Sequence, residues 1–96
     1  MSTLTLRKGA YVPGTTQNVT TSGVSAATTN VVNSSIVRIA ATQDTYVAIG
    51  PTPSAGVTNM LIPGGGVEFI AVKAGIDKIA GIQVTTGGIL SVTELA

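Results

Sequence analysis

Residues 35–50 read SIVRIAATQDTYVAIG, and this stretch decides the fold. Side chains alternate along an extended chain, so Val37, Ile39 and Ala41 share one face and Ile36, Arg38 and Ala40 the other. Gln43-Asp44 is a turn signal. Thr45–Gly50 then returns with Val47 and Ile49 on one face and Tyr46 and Ala48 on the other, which predicts a hairpin. The same grammar continues outward. PTPSAGVTNMLIPGGG (51–66) holds a proline-bearing loop at Pro51–Thr58, a short strand at Asn59–Ile62 and a Pro63–Gly66 turn. VEFIAVKAGIDKIAGIQVTTGGILSVTEL (67–95) holds three more strands. Val67–Lys73 is apolar on both faces, which predicts a central or doubly covered strand. Asp77–Thr85 changes phase, and a bulge at Gly81 would bring Ile79, Ile82 and Val84 to one face. Ile89–Glu94 closes the chain with Leu90 and Val92 inward.

Before this region the pattern weakens. Gln17–Val32 is rich in β-branched residues and predicts two short strands broken at Ser22-Gly23, with Ser25–Thr29 open to a single helical turn. Residues 1–14 differ from the rest. Thr3-Leu4-Thr5-Leu6 alternates, Arg7-Lys8-Gly9 interrupts it, and Pro13-Gly14 ends it. This reads as an extended arm, either frayed or added as a strand to a neighbour's sheet edge. The expected organisation is an arm at 1–14 and one domain at 15–96. The expected fold is all-β: a small antiparallel β-sandwich, jelly-roll-like, of about eight short strands. An immunoglobulin-type sandwich is less attractive, because the chain has no Cys and no Trp.

Composition narrows the function. The chain has 96 residues, 9% charged and 44% hydrophobic, with a net charge of +1. Thr, Ser, Asn and Gly stand where charge usually stands, so the expected surface packs against other protein. A 96-residue domain without disulfides has a thin stability margin, which favours burial against partners. Catalysis is disfavoured. There is no His or Cys, and Asp44, Glu68, Asp77 and Glu94 are scattered. The many hydroxyls have no base to activate them. No metal-ligand spacing is present, and Pro63–Gly66 lacks the Gly-Lys-Ser/Thr of a phosphate loop. No enzyme, no cofactor, no metal and no small-molecule substrate are expected. Basic clusters and stacking platforms are missing, so no nucleic acid is expected. Neither a Sec-type leader nor a membrane span is expected from the apolar runs.

Several elements together resemble a family. These are Ile36-Val37-Arg38-Ile39-Ala40-Ala41-Thr42, Asp44-x-Tyr46-Val47-Ala48-Ile49-Gly50, Pro53, Leu61-Ile62-Pro63, Glu68-x-Ile70-x-Val72, Lys78-Ile79-Ala80-x-Ile82-Gln83 and Leu90-Ser91-Val92-Thr93-Glu94. They are similar to small β-sandwich structural proteins of tailed bacteriophages, of the capsid decoration (cement) type. The likeness covers about residues 35–95 and is a pattern of strands and turns. It implies a virion protein, made in the host cytoplasm, that sits on the capsid exterior at junctions of the major capsid protein, often as a trimer. A tail- or fibre-associated module, carbohydrate-binding for example, is the alternative. Sugar platforms usually want aromatic rings, and only Tyr11 and Tyr46 offer one here.

The candidate interface residues are Leu4, Leu6, Tyr11 and Val12 of the arm, Pro51 and Pro53 of the pre-ordered loop, and Arg38. Arg38 lies mid-strand among apolar neighbours. It is read either as an exposed residue whose stem lies over the sheet or as half of an intersubunit ion pair with Glu68 or Glu94.

Overall fold

The computed structural model describes residues 11–96. They form eight strands: β1 (Pro13–Thr20), β2 (Ala26–Ala27), β3 (Ile36–Ala41), β4 (Thr45–Gly50), β5 (Met60–Ile62), β6 (Val67–Ala71), β7 (Lys78–Gln83) and β8 (Ile89–Leu95). No helix occurs among the described residues, and Ser25–Thr29 contains the extended pair β2 in place of the helical turn that was open there. Two four-stranded sheets result, in the orders β1-β8-β3-β6 and β2-β7-β4-β5. Every pairing is antiparallel. Of the expected arm, residues 1–10 lie outside the described residues. Residues 11–14 run into the first sheet, for Val12 and Ala96 exchange main-chain hydrogen bonds and Pro13 opposes Leu95.

The two inner faces meet in one core. Val19, Val37, Ile39, Ala41, Leu90 and Val92 come from the first sheet, and Val47, Ile62 and Ile79 from the second. Alternation along β3 is complete: Val37, Ile39 and Ala41 are buried and their neighbours half-buried. Buried hydroxyls are all paired, as burial without a partner would be destabilising. Thr21 Oγ1 donates to the Gly88 carbonyl, Thr45 Oγ1 donates to the Gln43 carbonyl, and Thr28 Oγ1 accepts from the Ile79 N–H. Thr45 opens β4 and satisfies the turn before it, while Thr21 and Thr28 lie just beyond β1 and β2 and tie those strand ends to their neighbours.

Three expectations are corrected. First, β3 and β4 are not a hairpin. They lie in opposite sheets, β3 between β8 and β6, and β4 between β7 and β5. A hairpin and a crossing between sheets put the same side chains against the core, so alternation cannot separate them. Second, Gly81 carries no bulge. β7 pairs with β4 in unbroken register from Lys78 to Gln83. Gly81 faces the core, where a Cβ would stand 2.9 Å from Leu90 Cδ2 and 3.1 Å from Thr45 Cγ2. The glycine leaves room for Leu90, and Ile82 points outward. Third, β6 is neither central nor doubly covered among the described residues, because it is the outer strand of its sheet and four of its five residues are exposed.

Candidate functional site

The acids are occupied with main-chain duties. Asp44 Oδ1 accepts from the Gly64 N–H at 2.7 Å, Asp77 Oδ2 from the Lys73 N–H at 2.9 Å, and Glu94 Oε2 from the Asn33 N–H at 3.2 Å. Each holds a turn or connection in place. Asp44 braces the turn in which the Gly66 N–H donates to the Pro63 carbonyl and Gly65 takes φ 82°, a conformation that favours glycine. Glu68 stands apart on β6, on the inward parity but at the rim, and is exposed.

Eleven large apolar side chains are exposed among the described residues, and four of them lie on two outer strands joined by one turn. β5 and β6 are the outer strands of their respective sheets and are joined directly through the Pro63–Gly66 turn. Met60, Leu61, Val67 and Phe69 are 41, 48, 38 and 54% exposed. The Tyr11 ring, itself 42% exposed, stacks on Phe69 with centroids 5.9 Å apart and planes at 28°. Arg38 sits directly opposite Phe69 in the β3–β6 register, on the same outer face. On the second sheet, Tyr46 is flanked by Leu61 and Ile82, a row of apolar outward positions.

Among the described residues, the edge of β6 also carries unmet hydrogen-bonding capacity. The Val72 N–H donates to the Ser35 carbonyl and the Ala41 N–H to the Gly66 carbonyl. In an antiparallel ladder, main-chain groups point to alternate sides. Residues 68 and 70 therefore bond to β3, and the N–H and C=O groups of Val67, Phe69 and Ala71 point away from the sheet.

The expected interface residues divide. Tyr11 and Arg38, distant in sequence, are brought together around Phe69. Val12 lies at the start of β1 against Ala96. Pro51 is exposed and Pro53 half-buried in the loop after β4, on the other sheet. That loop is tied back toward β2, with Ala55 buried and its N–H donating to Ser25 Oγ at 2.8 Å. Leu4 and Leu6 lie outside the described residues. Sequence reasoning missed Phe69, Val67, Met60 and Leu61. The signal for Val67 and Phe69 was the run of apolar residues on both faces of Val67–Lys73, which marks an exposed strand as readily as a doubly covered one; for Met60 and Leu61 it was the three consecutive apolar residues of Met60–Ile62, too many for one buried face.

Comparison with known proteins gives no match, whether to a family model, a curated relative or a solved structure.

Proposed function

We propose that this chain is a non-enzymatic structural protein of a tailed-phage virion, a decoration protein that binds the outside of the capsid and stabilises it. The observation that carries the reading is that Met60 and Leu61 of β5 and Val67 and Phe69 of β6 are exposed on adjoining outer strands, with Tyr11 against Phe69, in a sandwich whose turn acids serve its own backbone. Such a surface suits docking to protein. The resemblance of residues 35–95 to cement proteins supplies the capsid as the place of docking. The strand order supports a jelly-roll reading, because β1 pairs with β8, β2 with β7, β3 with β6 and β4 with β5, as in a double ribbon rolled up from its middle.

In this reading the partners are the major capsid protein and further copies of the chain. The mechanism is added buried area across capsomer junctions, opposing the pressure of packaged DNA. Contact is made through these exposed side chains together with the arm and the Pro51–Thr58 loop, whose prolines lower the ordering entropy of docking.

The attachment is apolar and hydrogen-bonded, because charge is only 9% of residues. Purified protein mixed with undecorated shells should co-sediment with them at 0.1 M and at 1 M salt alike, although the Debye length falls from about 10 Å to about 3 Å. Release at 1 M salt would overturn the proposed chemistry. Failure to bind shells, with the protein found in tails, would overturn the function in favour of a tail module.

A further inference from the structure

We propose that two copies of this chain join edge to edge through β6, antiparallel about a two-fold axis at Phe69. The two four-stranded sheets thereby become one continuous sheet across the pair.

The argument begins with the main chain. The groups of Val67, Phe69 and Ala71 that point away from β3 are exposed and aligned to pair with an extended partner strand. In the register that sets Phe69 against Phe69 of the second copy, Val67 meets the second copy's Ala71 and Ala71 its Val67. All three residues then exchange hydrogen bonds. Shifting the axis to residue 68 or 70 leaves one of the three at the end of the strand without a partner in β6.

Side chains select the same register. An axis at residue 68 would set two Glu68 carboxylates directly opposite, and like charges opposite one another are destabilising. With the axis at Phe69, each Glu68 lies opposite Ile70 of the other copy. The two Phe69 rings meet on the outer face of the joined sheet, where aromatic cross-strand pairs are favourable. Each ring already carries Tyr11 of its own copy, so the pair forms an aromatic row across the joint. β6 holds no proline or bulge that would prevent the pairing, whereas β1 shows a register irregularity between Pro13 and Thr16.

The joint is a single strand of five residues, against about 20–30 residues a side in a standard interface. Its dissociation constant is therefore expected in the micromolar range, about 10–100 μM. It differs from the trimer expected from the sequence. It also holds or fails in free protein, independently of capsid binding.

The test uses the full chain in solution. Sedimentation equilibrium from micromolar to millimolar concentration should give a monomer–dimer equilibrium. Proline is tolerated on an edge strand where its missing N–H faced solvent. Ala71→Pro should therefore fold, and should weaken the dimer at least about tenfold by removing one hydrogen bond from each copy. Asn18→Pro on the β1 edge should leave association unchanged.

The chain has no cysteine, so Phe69→Cys reads the register directly. Opposed residues of a hydrogen-bonded pair lie about 5.5 Å apart at Cα, within the range of a disulfide. Oxidation should cross-link the Phe69→Cys dimer and leave Thr16→Cys uncross-linked. A monomer at every concentration, a trimer, association that survives Ala71→Pro, or cross-linking of Thr16→Cys in preference to Phe69→Cys would each overturn the proposal.

Discussion

β1 and β6 are the two outer strands of one sheet, and among the described residues both leave alternate main-chain groups unpaired. On β1 these belong to Thr16, Asn18 and Thr20, because the ladder to β8 bonds through Gln17 and Val19 and continues with the Thr21 N–H on the Gly88 carbonyl. On β6 they belong to Val67, Phe69 and Ala71. The difference is in how each edge is dressed. β1 is polar, opens with proline and a register irregularity, and ties its side chains to the molecule itself. Thr16 Oγ1 lies 2.9 Å from Thr93 Oγ1. The Gln17 amide donates to the Asn30 carbonyl and accepts from the Asn30 N–H, both at 3.0 Å. β6 has one charge, Glu68, and otherwise presents apolar side chains to solvent. An edge strand of that kind joins another strand unless something blunts it. One edge is blunted by its own chemistry, and the other, among the described residues, is left open to the proposed second copy.

The comparison can be broken from the core outward. Leu90 is fully buried on β8, opposite Val19 of β1 and Ala41 of β3, so both edges hang on it. Leu90→Ala should cost about 2–5 kcal/mol of folding stability. Urea unfolding measures this, and a loss below about 1 kcal/mol would mean that the two sheets do not share one core. Gln17→Leu acts on the closed edge alone. It removes both hydrogen bonds to Asn30, and the expected loss is about 1–2 kcal/mol in the same assay. Association through β6 should be unaffected. A stronger tendency to associate in this variant would show that the closure of β1 depends on that clamp.

The places where the sequence was legible and where it was not have physical causes. Strand positions from Ile36 onward could be read because alternating Val, Ile and Ala against Thr and Arg leaves only one face to bury. β4 was readable to its end residues, and Leu90 and Val92 were assigned inward correctly. Partner strands were not legible. The inward set Val37, Ile39, Ala41, Thr45 and Val47 suits a hairpin and an inter-sheet crossing equally. Gly81 misled for a different reason: an inward glycine makes room for Leu90, and the outward Ile82 imitated a phase change. The candidate surface was half legible. Tyr11 could be chosen as part of the arm and Arg38 as a charge among apolar neighbours, but their meeting at Phe69 depends on β6 lying beside β3.

The contrast between the two edges is tested most directly by residue-resolved amide hydrogen exchange on the free protein, dilute and concentrated. In dilute solution the amides of Thr16, Asn18 and Thr20 and those of Val67, Phe69 and Ala71 should all exchange faster than their ladder-bonded neighbours. At concentrations above the dissociation constant, Val67, Phe69 and Ala71 should become protected while Thr16, Asn18 and Thr20 stay fast. Protection appearing on β1, or no change on β6 as the protein associates, would contradict the account.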